Sequence, residues 1–507
     1  MSSPKDVANR IPITGALMLA TLMNTLDSTI ANVALPHIQG SVSASQDQVT
    51  WVLTSYILAT AIMMPLSGWM AEKIGRRRMF ILSIGGFTIA SMLCGIATSL
   101  PEIVLFRVLQ GLAGATLMPL SQMVMLDLFE PKQIPRVMSL WSAAVIMGPI
   151  VGPSLGGWLT ESLSWRWVFF INLPIGILAL MIINLYMDKD PGGRQRPFDF
   201  IGFGTLSVFL AGFQLLLDRG PSQDWFDSME IWFYALLALM GLYLFIVQTL
   251  TAEHPFFPRE LGRDWNFAGG VTVSFFVGVL LFSTSAILPS FMQNLLGYSA
   301  LQSGNASMVR GIGSLIAFIF MPSLLARLGA KLTLTIGVML SAISLYAMAN
   351  FDLSMTAMPI MTSGFVQGLG VGLMFAPLST LSFATLPRQL RPEGTSLSTM
   401  ARSLGSSVGI SIVQATFVRQ AFTNAARLGE HVSIGNPLNG RLLPAGLSLD
   451  TAMGQLVMRG QIARQGAMIS YDYVFAWMAP ACLLLLPLIF VLKRPPADAP
   501  PPEPVGE

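Results

Sequence analysis

Charge is what this sequence has least of. Only 11% of its 507 residues are Asp, Glu, Lys or Arg, against about 25% in ordinary soluble domains, while 53% are hydrophobic and the mean hydropathy is +0.64. So little charge cannot solvate the surface of so long a chain, which excludes a soluble multidomain enzyme. Cysteine is nearly absent too: Cys94 and Cys482 both lie in apolar runs, where neither a disulfide framework nor a zinc site is expected. The three histidines, His37, His254 and His431, are scattered, and no GxxxxGK[ST] loop occurs, so a built-in ATPase or metal hydrolase has no support. Neither sign of charge dominates. With 29 basic and 26 acidic residues the net charge is +3, too balanced for a nucleic-acid partner.

What the chain does have is long apolar runs. They are about 20 residues long rather than alternating ten-residue strands, which selects spanning helices over a barrel. A hydropathy window of about 19 residues predicts fourteen spans, near 14–36, 50–71, 79–98, 102–125, 137–159, 167–187, 199–217, 230–250, 267–292, 303–325, 331–350, 356–380, 396–420 and 472–492. The first run is too long for a signal-peptide core and contains Asp27, so it reads as a retained helix. The fold class is an all-α membrane protein. Nineteen basic residues, among them Lys73, Arg76, Arg77, Arg78, Arg136 and Arg327, fall in one set of connections and seven in the other. That bias places both termini in the cytoplasm. The other three, Arg107, Arg310 and Arg402, lie inside spans.

The chain is duplicated. QGLAGATLMPLS from Gln110 reappears as QGLGVGLMFAPLS from Gln367, an offset of 257 with a one-residue slip before the proline. Pro135 and Pro392 keep that offset, Leu26 to Thr29 align with Leu281 to Thr284 at 255, and Ile74 and Gly75 align with Leu328 and Gly329 at 254. Helices 1 to 6 (14–187) therefore match helices 9 to 14 (267–492), with an inserted pair over 199–250. Two homologous six-helix bundles imply a cavity between them that opens to either side in turn.

The repeat is unequal. Asp27 aligns with Phe282 and Arg107 with Gly364, so the second half lacks both charges. A mid-span charge costs at least about 2.5–3.5 kcal/mol on insertion scales. Ion coupling is therefore expected in the first half, with the second shaping an apolar substrate wall. Asn24, Gln110, Phe282 and Gln367 are the candidate cavity residues. Arg310 and Arg402 read more readily as structural charges that snorkel or cap a carbonyl than as substrate contacts.

Three segments carry the remaining signal. GWMAEKIGRRR places Gly68, Glu72, Gly75, Arg76, Arg77 and Arg78 around a tight turn between helices 2 and 3, where glycine permits the turn; a topogenic arginine cluster is the simpler alternative. LFRVLQGLAGA sets Arg107 and Gln110 on one face of helix 4. MGPIVGPSLGGW repeats Gly148, Gly152 and Gly156 every four residues, with Pro149, Pro153 and Gly157 among them. This spacing admits a neighbouring backbone closely; ordinary small-residue packing accounts for it equally simply.

Together these segments resemble the major facilitator superfamily, specifically the fourteen-helix drug:proton antiporters of EmrB/QacA type. The likeness covers about residues 14–495 and includes LDSTIANVALP, WRWVFFINLPIG, LDRG followed by DWF, and QNLLGYSALQSG. Its one departure is Glu72, where the superfamily usually has aspartate. The resemblance implies a major facilitator fold and proton-coupled export of small lipophilic or amphipathic compounds by a protein that is not an enzyme. It implies no cofactor beyond the proton gradient, a place in the bacterial inner membrane, and, as partners, a periplasmic membrane-fusion adaptor and an outer-membrane channel. Asp27 corresponds to the proton carrier and Arg107 to the arginine that influences it. Burial disfavours a charged carboxylate and a neighbouring arginine favours it, so a rocking motion that separates them would switch proton affinity; a static ion pair is the alternative. The segment 421–471 is expected to be a periplasmic loop with an amphipathic piece capped by Asp450 and presenting Met453, Leu456, Val457, Ala463 and Ala467 near one face, to cover the outer vestibule or touch a partner; a solvated lid is the alternative. The proline-rich tail 495–507 is expected to be disordered. Alternatives are an exporter dedicated to a metabolite such as a siderophore or fatty acid, and a receptor or enzyme on the same scaffold.

Overall fold

The computed structural model describes residues 9–44, 46–130, 133–189, 197–432 and 449–492. Eleven helical stretches in it are long and apolar enough to cross a bilayer. One of them, Leu301–Met348, is two spans joined at Gly329, whose φ of 77° breaks the helix. Arg10–Ser41 and Arg391–Glu430 bring the spans among the described residues to fourteen. These last two are the less apolar ones: Asn24, Asp27, Ser28 and Thr29 interrupt the first, and Ser396, Ser398, Thr399 and Arg402 the second. Most of those polar side chains are buried, which a helix shielded from lipid tolerates.

In chain order the spans are α1 Arg10–Ser41, α2 Trp51–Ile74, α3 Arg76–Ile96, α4 Leu100–Leu128, α5 Ile134–Ser162, α6 Trp167–Tyr186, α7 Phe200–Arg219 and α8 Met229–Thr251. They continue as α9 Trp265–Asn294, α10 300–328, α11 330–348, α12 Ala357–Ser382, α13 Arg391–Glu430 and α14 Ala452–Val491. The turn chemistry is local. Gly75 and Gly329 both take positive φ, 91° and 77°, at repeat-equivalent positions where a side chain would be strained. Ser299 and Gln302 form a reciprocal capping box that starts α10, while Asp199 and Asp264 cap α7 and α9.

Helices α1 to α6 pack on one another, as do α9 to α14, and the two groups meet along α5 with α10 and along α2 with α13. At the arginine-rich end α2 and α13 touch directly. A methyl group on Gly68 would come within 3.0 Å of the Pro392 carbonyl, and the Ser67 and Ser396 hydroxyls are 2.6 Å apart. Toward the opposite end α7 intervenes. Thr54 of α2 donates to Asp218, and Ser411 of α13 donates to the neighbouring Leu217 carbonyl at 2.9 Å. The inserted pair thus touches both groups, while α8 presents Trp232, Leu236, Leu239 and Tyr243 outward, a lipid-facing composition.

The segment 421–471 is not one long loop. Helix α13 continues to Glu430 and α14 begins at Ala452, and Asn424 donates to Ser470 at 3.0 Å to hold the two extensions together. The cap is Thr451, whose side chain accepts from Gly454 N, rather than Asp450. Of the expected apolar face, Met453 and Leu456 are exposed, while Gly454, Met458 and Gly466 of the same helix are buried. The reason is that Gly466 lets α14 close on Ala425, which turns the glycine face inward. Residues 433–448 and the tail 495–507 lie outside the described residues.

The glycines of α5 set its distance from α1. A Cβ on Gly152 would collide with the Thr29 hydroxyl, whereas one on Gly204 would meet open space. Gly152→Val should therefore cost about 1–3 kcal/mol through overpacking and lower the melting temperature of the detergent-solubilised protein, with Gly204→Val leaving it near wild type.

Candidate functional site: a buried charge pair beside a cleft

Asp27 and Arg107 are both fully buried, with Arg107 Nη1 2.6 Å from the Asp27 carboxylate. Helix α1 supplies the acid and α4 the base. The carboxylate also accepts from Gln110 Nε2 at 2.8 Å and from Asn172 Nδ2 at 3.0 Å. Arg107 donates through Nε to the Val52 carbonyl at 3.0 Å and through Nη1 to Gln110 Oε1 at 2.8 Å. Its Nη2 has no hydrogen-bond acceptor among the described residues; the Tyr56 ring, 4.2 Å from the guanidinium carbon, and the Phe169 ring at 5.7 Å enclose that side. A guanidinium over an aromatic face is attracted by its quadrupole. A buried ion pair is tolerable when its remaining valences are hydrogen-bonded, and here they nearly all are.

The spacing of Arg107 and Gln110 put both on one face of α4, and the structure adds what that spacing could not. Asn172, in the INLPIG stretch, reaches Asp27 from α6 and also donates to Ser91 at 2.9 Å. Tyr56 comes from α2. Gln110 is a partner of the carboxylate rather than a cavity wall. Asn24 bridges Tyr56 Oη and the Gly114 carbonyl, each at 3.1 Å, and Gln367 is buried within the second group. Of the four candidate cavity residues, only Phe282 lines the cleft described next.

That cleft is narrow, with a cavity volume of about 30 Å³ between α5, α9 and α10, beginning near mid-depth and running away from the arginine-rich end. Helix α5 connects it to the charge pair. One face of α5, Gly148, Gly152 and Gly156, packs on Thr25, Thr29 and Ile30 of α1, the residues flanking Asp27, and Thr29 donates to the Gly148 carbonyl at 3.1 Å. Gly157 is buried as well. Another face, with Pro149 and Pro153, lines the cleft opposite Phe282 and Arg310. Each proline lacks an N–H and so leaves a carbonyl one turn earlier without its helical donor.

Arg310 therefore lines the cleft instead of snorkelling, with Nη1 2.9 Å from Ser285 Oγ. Arg402 is elsewhere: it approaches Met118 Sδ at 3.2 Å and the Trp141 and Phe375 rings at 5.7 and 5.6 Å, between the two helix groups. In the helix 2 to 3 turn, Arg76 pairs with Asp127 at 2.7 Å, and Asp127 lies 3.7 Å from Arg391 of the second group. Sequence reasoning passed over Asp127, although its place at the end of α4 beside the arginine turn was a signal. Arg77 donates to Asn184 at 2.6 Å, Glu72 is half-buried, and Arg78 is exposed.

Two related six-helix groups, a buried ion pair in one and a cleft between them define a multi-pass membrane carrier. Residues 17–410 match the Major Facilitator Superfamily, and the chain belongs to that family; it is a transporter and not an enzyme. It is 35% identical to the multidrug export protein EmrB of Escherichia coli K12, covering 97% of each chain. It is also 33% identical to the fatty acid resistance protein FarB of Neisseria gonorrhoeae, over 95% of this chain and 96% of that one. Among solved structures, the human organic anion transporter MFSD10 matches in fold with a TM-score of 0.60 at 13% identity, over 96% of this chain and 100% of that one.

Removing one member of the pair strands the other in the interior. Arg107→Gln alone should cost about 3–5 kcal/mol. Adding Asp27→Asn should recover part of that loss, so a double-mutant cycle on thermal unfolding reads a favourable coupling energy between the two sites.

Proposed function

We propose that the chain exports lipophilic or amphipathic compounds across a bacterial inner membrane in exchange for protons, by alternating access. The observation that carries this reading is the placement of Asp27: a fully buried carboxylate in a charge pair, on a helix whose next turns are packed against the helix that walls the cleft. The names of the EmrB relatives support the multidrug cargo. The excess of basic residues at one end supports its being cytoplasmic, with both termini there. Contacts at that end, Ser67 with Ser396 and Arg391 with Asp127, support an outward-facing state closed to the cytoplasm. Protonation of Asp27 would cancel its charge attraction for Arg107 and weaken its hydrogen bonds from Gln110 and Asn172. The α1 to α5 contact would then relax, and α5 would carry that change to the cleft wall. One proton moved through 100 mV supplies about 2.3 kcal/mol, roughly fiftyfold in cargo ratio.

A periplasmic adaptor and an outer-membrane channel are the proposed partners. Helices α13 and α14, of 40 residues each, reach about 60 Å at 1.5 Å per residue, twice the hydrocarbon thickness of about 30 Å, and so offer a projecting surface. A second reading, export of a fatty acid, is favoured by the likeness to FarB.

The test is dye flux into proteoliposomes under an imposed pH gradient. Asp27→Asn keeps the shape of the side chain but leaves Arg107 without its carboxylate, so flux is normalised to the folded protein reconstituted; gradient-driven accumulation per folded transporter should be lost while downhill exchange persists. Undiminished gradient-driven flux in that variant would sink the assignment.

A further inference from the structure

The inserted pair takes no part in the chemistry above, yet it lies across the seam where the two groups meet. Its helices form one stiff unit. A methyl group on Gly212 of α7 would lie 2.7 Å from the Ala238 nitrogen, and one on Gly241 of α8 2.5 Å from the Phe209 nitrogen, so the two backbones touch with no side chain between them. At the arginine-rich end Asp199 closes the pair, accepting from Gln248 Nε2 at 2.9 Å and from Phe256 N at 3.1 Å.

This unit holds the two groups unequally. It is fixed to α2 at both ends: the Trp69 ring lies 4.5 Å from that of Phe198, just ahead of α7, and at the other end Thr54 donates to Asp218. Its packing on the second group is against α13 and carries, among the described residues, a single hydrogen bond, from Ser411 to the Leu217 carbonyl at 2.9 Å. A hydroxyl bound to a carboxylate is the stronger of these two outer contacts.

Rocking puts the difference to use. Helices α2 and α13 touch at the arginine-rich end, where the Ser67 and Ser396 hydroxyls are 2.6 Å apart, and α7 separates them at the other. Opening the first end while closing the second brings their far ends toward each other, and a packed helix between them does not compress. One face of α7 has to slide.

We propose that the inserted pair travels with the first group and that the sliding seam on this side of the carrier runs between α7 and α13, with release of Ser411 from the Leu217 carbonyl a step of every cycle. Asp218 and Thr54 keep α7 on the helix whose Val52 carbonyl and Tyr56 ring hold Arg107. This rests on the alternating-access reading above and says which contact moves.

Ser411 and Thr54 are each 5% exposed and meet α7 from the two groups. Ser411→Cys and Thr54→Cys are near-isosteric single changes whose thiols react with N-ethylmaleimide only when uncovered. In proteoliposomes of the full-length protein carrying out downhill dye exchange, the Ser411→Cys thiol should be alkylated several-fold faster than the Thr54→Cys thiol. Peptide mass spectrometry separates both from the buried native Cys94 and Cys482. A disulfide joining Leu217→Cys to Ser411→Cys should stop exchange until it is reduced, whereas one joining Thr54→Cys to Asp218→Cys should leave exchange within about twofold of the reduced protein. The labelling result decides the matter where a disulfide variant fails to fold or to oxidise. Equal labelling at the two sites, faster labelling at Thr54→Cys, exchange that survives the link between α7 and α13, or exchange lost on linking α7 to α2 would overturn the proposal. A disulfide joining Ser67→Cys to Ser396→Cys tests the underlying reading separately: exchange that survives it sinks alternating access, while exchange that stops there and survives the link between α7 and α13 sinks this proposal alone.

Discussion

The rest of this molecule is arranged around the salt bridge between Asp27 and Arg107. A carboxylate and a guanidinium with no solvent access are stable only when their other hydrogen-bonding valences are filled, and filling them recruits α2 through Val52 and Tyr56, α4 through Gln110, and α6 through Asn172. Five of the spans are thereby held in register by a few polar atoms, since α3 joins through Ser91. In a lipid-facing bundle, where apolar packing distinguishes poorly between one helix face and another, such a network fixes which faces turn inward.

The same helix that carries the acid is tied to the cleft. The glycines of α5 bring its backbone against Thr25 and Thr29, and its prolines face Phe282 and Arg310 across the interface between the two groups. Under the proposed coupling, a change of charge at Asp27 would act on a contact between backbones with no slack and would be transmitted as a displacement of α5 rather than absorbed by side chains. Duplication supplied two equivalent scaffolds, but the second has Phe282 and Gly364 where the first has Asp27 and Arg107, so this buried ion pair belongs to the first group alone, while the mostly apolar cleft lies between the two.

Much of this was legible beforehand. Spans follow from hydropathy because every buried backbone group must be satisfied within its own helix, and the turns at Gly75 and Gly329 follow from glycine chemistry and the repeat. Asp27 and Arg107 stood out because charge is so scarce. Other residues were legible only as types. Asn172 and Tyr56 are ordinary amphipathic residues in apolar runs, and no local spacing shows that they converge on Asp27 from α6 and α2. Gln110 read as a cavity residue because its polarity was visible and its partner was not. The 421–471 segment read as a loop because its hydropathy is low, whereas helices that leave the membrane as a pair can be polar.

By itself the sequence determined that the chain lives in lipid, how many times it crosses, that it is duplicated, and which two charges in the first half need an explanation. These are properties of composition, periodicity and self-similarity, each readable along one dimension. The tertiary structure decided which way the side chains turn: that Asp27 is enclosed by three donors, that α5 divides its glycines and prolines between α1 and the cleft, and that Arg310 faces that cleft. Those outcomes depend on contacts between segments far apart in the chain, where sub-ångström fit between helix faces selects one arrangement among several with the same hydropathy.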